Sequence, residues 1–90
     1  MKRREAREKA LQTLFQLENT ELTIEDAMSH VLDGQNDSFY EKLVRGTTEH
    51  MAQIDESLKT KLENWSLDRL PKIERTVLRL AVFELLFMQD

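Results

Sequence analysis

The stretch PKIERTVLRLAVFELLFM, residues 71–88, constrains the fold more than any other part of the chain. Pro71 suits the first turn of a helix, where its missing N–H costs nothing. From there Ile73, Val77, Leu78, Leu80, Ala81, Val82, Phe83, Leu85, Leu86, Phe87 and Met88 cover most of a helical circumference. A helix apolar on nearly every side belongs inside a bundle, since each Å² of apolar surface left in water forgoes about 25 cal/mol. Three helices precede this one in the pattern. They can cover one side of it and hardly all sides. Its remaining face calls for a continuation of the chain or for a second copy, a homodimer; simple fraying of the end is the plainer alternative.

The rest of the pattern is also helical. A first helix spans about Arg4 to Leu17, with Ala6, Ala10, Leu11, Leu14 and Leu17 on one broad face and Phe15 at its edge. Thr23 reads as the N-cap of a second helix, with Asp26 three residues on, and Gly34 as its C′ residue. Ser38 followed by Glu41 reads as a capping box opening a third helix. That helix carries one seam, Tyr40, Val44, Thr47, Met51, Ile54, Leu58, Leu62 and Trp65, at alternating steps of three and four. Gly46 lies inside it at a cost of about 1 kcal/mol, which points to close approach by a neighbouring helix, or to a kink. Ser66 caps a short turn over Leu67–Leu70. The expected fold is all-α, with residues 1–65 as an N-terminal helical subdomain and 66–90 as the start of a second one, incomplete in this chain.

A chain of 90 residues holds one small domain at most. It has no cysteine, so disulfides and Cys-ligated metals are excluded, and a reducing cytoplasm is the expected home. No apolar run approaches the roughly 20 residues of a membrane span, and the basic start is not followed by a signal-peptide core. His30 and His50 have no His or Cys at i+3 or i+4, so no metal site is expected. There is no nucleophile elbow and no glycine-rich phosphate loop. The 17 acids are spread over helix faces expected to be solvated, and no catalytic pair stands out. Neither an enzyme nor a cofactor is expected.

Charge is the informative remainder. The net charge is −4, yet residues 1–9 hold five basic and two acidic groups. Cations at a helix start oppose the helix dipole by about 0.3–1 kcal/mol each, so Lys2, Arg3, Arg4 and Arg7 are not there for helix stability. A frayed, solubilising terminus is the bland explanation. Arginine, however, binds phosphate through two parallel hydrogen bonds and stacks on bases, and single-stranded RNA is held by such groups beside an aromatic platform, here Phe15. A second polar cluster, Asp68, Arg69, Lys72, Glu74 and Arg75, surrounds Pro71. It is either an ordinary solvated junction or a recognition surface for a protein partner.

KRREAREKALQTLFQLE, LVRGTTEH and NWSLDRLPKIERTVLRLAVFELLF, in this order, resemble the NusB family of bacterial transcription antitermination factors across essentially the whole chain. The resemblance implies a helical bundle of two packed subdomains, no enzyme activity and no cofactor. It implies binding of the boxA element of nascent ribosomal RNA as a heterodimer with NusE, a small-subunit ribosomal protein, within the RNA polymerase antitermination complex. Lys2, Arg3, Arg4, Arg7 and Phe15 match the family's RNA side. Asp68 and Glu74 match acidic positions facing NusE, with Arg69 and Arg75 beside them. Family members continue past FELLF into further helices that complete the second subdomain. The alternatives are a helical dimerisation or docking module without specific RNA binding, and the accessory RNA-binding domain of an RNA methyltransferase.

Overall fold

The computed structural model describes residues 1–62 and 66–88. Among them five α-helices and one 3-10 turn follow in order: α1 (Arg3–Asn19), α2 (Ile24–Leu32), α3 (Ser38–Glu49), α4 (Met51–Lys61), the turn Leu67–Arg69, and α5 (Lys72–Phe87). The chain is all-α, as the periodicity predicts. Helix α1 packs on α2 and most extensively on α3, while α5 lies across α1, α3 and α4.

The core begins with short side chains. Ala6 and Ala10 have no exposed surface, and Thr13 and Leu14 continue the same face of α1. Small residues let two helices approach closely, and there the Thr13 and Tyr40 hydroxyls share a hydrogen bond. Tyr40, Leu43, Val44, Ile54, Leu58, Leu80 and Phe83 extend one continuous cluster across α3, α4 and α5. The division into subdomains at residue 65 falls beside residues 63–65, and Trp65 of the expected seam lies outside the described residues.

Gly46 is explained by close approach. A Cβ added there would fall 2.1 Å from Cζ of Phe83, far inside van der Waals contact. The ring of α5 is therefore seated directly on the backbone of α3, and the helix-propensity cost of glycine is the condition for that packing.

Two details differ from the sequence expectation. Asp37, not Ser38, caps α3: its Oδ1 accepts the Tyr40 N–H at 2.8 Å. Both residue types cap well, but a carboxylate also adds favourable charge at the dipole's positive end. Glu41, the other half of the expected box, instead accepts a hydrogen bond from Arg45 Nε at 2.9 Å. Second, the long third helix is two helices, broken at His50 (φ −105°, ψ 19°). Its N–H closes on the Gly46 carbonyl, and its own carbonyl opens α4 by accepting from Ile54. The imidazole stacks on Phe87 with ring centroids 4.2 Å apart. This contact with α5 holds the bend, and the seam runs on through it to Ile54 and Leu58.

The other local signals hold. Thr23 Oγ1 accepts from Asp26 N, Gly34 has φ +85°, and Ser66 Oγ accepts from Asp68 N. Asp33, one residue before Gly34, is also left-handed, at φ 49°. Pro71 sits one position earlier than expected, as the N-cap of α5. Helix α5 buries Thr76, Leu80, Val82 and Phe83 but leaves Ile73, Val77, Leu85 and Leu86 45–58% exposed. Three helices cover one side of it, and no more. No helix among the described residues is long and apolar enough to cross a membrane.

Candidate nucleic-acid interface

The N-terminal end of α1, from its cap Lys2 to Arg7 in the second turn, carries the basic cluster. Lys2 is the N-cap residue and its side chain makes no capping hydrogen bond. Lys2, Arg3, Arg4 and Arg7 are all exposed. Their neighbours differ. Arg4 is 91% exposed and lies 3.6 Å from Glu8, one turn on. Arg7 Nε donates to both carboxylate oxygens of Glu84 on α5, at 2.8 and 3.1 Å. The Arg7 guanidinium also lies 5.4 Å from the Phe39 ring centroid, and the Arg3 guanidinium 4.7 Å from it. The terminal amine of Met1 is 3.8 Å from Asp37 Oδ2, at the start of α3.

Phe39 is thus the aromatic in contact with the basic arm, and sequence reasoning missed it. It is the second residue of α3, and only the packing of α1 on α3 brings it to Arg3. Phe15 is half-buried on α1 itself, roughly 16 Å along the axis from Arg4 at 1.5 Å per residue. Its carbonyl accepts from the Asn19 side chain. Phe15 and the arm therefore bracket a stretch of surface and do not form one contact cluster.

The junction around Pro71 separates into two kinds of residue. Asp68, Arg69 and Glu74 are exposed. Arg75 turns inward and pairs through Nη2 with Glu18 of α1, both side chains being only 14–22% exposed. Glu18 also accepts from Thr76 Oγ1 at 3.2 Å and lies 3.8 Å from Arg79 Nη1. Arg79 in turn makes a two-pronged pair with Asp55 of α4, at 2.8 and 2.9 Å. Glu18 and Asp55, expected on solvated faces, instead tie α1, α4 and α5 together. Sequence spacing alone carries no sign of this, because each partner comes from another helix.

Other features carry less chemistry. Among the described residues no group of His, Cys, Asp or Glu is placed to hold a metal ion. His30 is exposed and His50 belongs to the aromatic stack. Burial pushes the Tyr40 phenol above its ordinary pKa, opposed in part by the Thr13 hydrogen bond. What the surface offers is a set of exposed guanidinium groups beside an aromatic ring, which suits binding of a polyanion with unpaired bases.

Comparisons with known proteins give the chain its relatives. The NusB family model matches residues 4–90. The transcription antitermination protein NusB of Lysinibacillus sphaericus is 64% identical over 90 residues, covering 100% of this chain and 71% of that protein. Its namesake from Bacillus subtilis is 46% identical over 91 residues, covering 100% of this chain and 70% of that one. Among solved structures, a chain in the crystal structure of a plectonemic RNA supercoil superposes with a TM-score of 0.86 at 32% identity, covering 98% of this chain and 68% of that chain.

Proposed function

The chain belongs to the NusB family, and we propose that it is the RNA-binding component of a transcription antitermination complex, binding the boxA element of nascent ribosomal RNA together with NusE. The relatives are transcription antitermination proteins, not enzymes. The observation that carries the proposal is the exposed basic arm of α1 in an otherwise acidic chain. Lys2, Arg3, Arg4 and Arg7 serve the phosphates, and Phe15 offers a base-stacking edge further along the helix. Asp68, Arg69 and Glu74 face the protein partner, while Arg75, held by Glu18, fixes the start of α5 beneath them. In this reading residues 1–65 form the RNA-facing subdomain and 66–90 open the partner-facing one. The complex works on RNA polymerase in the bacterial cytoplasm and positions RNA without chemical change.

Binding to a boxA-containing RNA and to a scrambled single strand, with and without NusE, tests the proposal. The expected result is preference for boxA, strengthened by NusE. Equal affinity for both strands that vanishes at moderate salt would reduce the interaction to charge attraction.

A second reading has its own observation. Ile73, Val77, Leu85 and Leu86 leave an apolar face on α5. Faces of this kind mark protein contacts, and a second copy of the chain is one such partner. Light scattering checks it: a concentration-dependent dimer weakened by Val77→Glu supports self-association, and a strict monomer refutes it.

A further inference from the structure

Phe39 and Arg3 are far apart in sequence and meet at the start of two helices. Arg3 is the first residue of α1 and Phe39 the second of α3. The Arg3 guanidinium carbon lies 4.7 Å from the ring centroid. Phe39 is half-buried and packs against the hydrophobic core, so its ring is a fixed surface. A guanidinium resting on a ring uses its flat face. Its five N–H donors lie in the guanidinium plane and stay free for a second ligand. A carboxylate partner does the opposite and occupies those donors. Arg7 also lies near this ring, at 5.4 Å, but its Nε is engaged in the second way by Glu84, and Arg4 lies beside Glu8. Among the described residues Arg3 has the ring as its partner and no carboxylate.

We infer that Phe39 is a positioning residue for RNA binding, holding Arg3 in one orientation with its donors open to a phosphate of a single strand. The inference rests on the RNA-binding reading above and adds the residue that prepares the site. Ordering a long side chain at the moment of binding weakens affinity, and ordering it beforehand removes that loss. The ring acts through Arg3, since the guanidinium already covers the surface on which a base would stack.

The test compares Phe39→Leu, Phe39→Tyr and Arg3→Gln for binding to a single-stranded boxA RNA over a range of salt. Leucine keeps an apolar side chain against the core, and circular dichroism checks that the helices remain. Phe39→Leu is expected to weaken binding about two- to tenfold with an unchanged salt slope, because the charge of Arg3 persists. Phe39→Tyr should bind like the unaltered chain. Arg3→Gln should lower the salt slope by about 0.7, and Phe39→Leu should add little in that background. In the free protein, the Arg3 side-chain protons should show ring-current shifts that Phe39→Leu abolishes and Phe39→Tyr keeps. Full affinity in Phe39→Leu overturns the inference while leaving RNA binding intact. So does a full Phe39→Leu effect on top of Arg3→Gln, which would assign the ring's effect to Arg7 or to its own contact with the RNA. No binding by the unaltered chain overturns the RNA reading and this inference together.

Discussion

The two arginine clusters of this chain use the same side chain for opposite purposes. Arg75 and Arg79 sit half-buried beside Glu18 and Asp55, each paired with a carboxylate from a neighbouring helix. Arg3, Arg4 and Arg7 are exposed, Arg3 and Arg7 beside the Phe39 ring, and the one short carboxylate contact is that of Arg7 with Glu84. The first cluster fastens α5 to α1 and α4. The second holds charge against the local helix dipole and has donors to spare. The two clusters differ in the number of carboxylates delivered by neighbouring helices, which the number of arginines does not reveal.

That contrast depends on where α5 lies, and Gly46 sets its position. Gly46→Ala drives a methyl group into the Phe83 ring, which is backed by the core. A loss of about 3 kcal/mol is expected by chemical denaturation, near the upper end for overpacking. An unchanged midpoint would mean that α5 is not seated as described.

Removing the shared carboxylate tests the inner cluster. Glu18→Ala leaves Arg75 without its partner in a site where only 14% of its side chain meets water. A loss of about 2 kcal/mol is expected, below the range for a fully buried pair. RNA affinity per folded molecule should stay the same. A parallel fall in RNA affinity would show that the two clusters are not separate devices.

Tyr40 links α1 to α3 through Thr13, and its sign is opposite to that of a carboxylate. Its folded pKa is raised by burial. The contribution of the neutral phenol is therefore complete below its ordinary pKa of about 10 and is lost as pH rises through the folded value. Melting temperature should fall above about pH 10, and Tyr40→Phe should flatten that fall while losing the Thr13 hydrogen bond. An equally steep decline in Tyr40→Phe would assign it to other groups.

The smallest effect is expected at the rim. Arg7 and Glu84 are 45% and 23% exposed, and pairs of this kind contribute at most about 1 kcal/mol. Glu84→Gln should move stability by about 0.5 kcal/mol or less and raise RNA affinity slightly at low salt, since Arg7 is released. Weaker RNA binding would mean that Glu84 orients Arg7 for its ligand and does not compete with it.

Local chemistry was legible in the sequence and long-range placement was not. The caps at Thr23 and Ser66, the left-handed Gly34 and the close approach at Gly46 follow from single residues and their immediate neighbours. The break at His50 was hidden because one non-helical residue leaves the three-and-four spacing of the seam intact. Asp37 and Ser38 are adjacent good caps, and a spacing rule does not choose between them. Phe39 gave no signal, because its meaning comes from α1 lying against α3. The basic arm itself was readable, since charge that opposes the helix dipole in an acidic chain is a local anomaly.

In this reading the arm serves RNA and contributes at most about 1 kcal/mol to the fold, through Arg7 and Glu84. The most direct measurement is RNA affinity against salt for the unaltered chain and for Arg3→Gln, Arg4→Gln and Arg7→Gln combined, with melting followed in parallel. The triple variant should lose at least tenfold in affinity at low salt and about 2 in the logarithmic salt slope, roughly 0.7 per lost phosphate contact, while its stability changes by no more than about 1 kcal/mol. An unchanged slope with full affinity would contradict this reading, and would move the RNA to another face of the bundle.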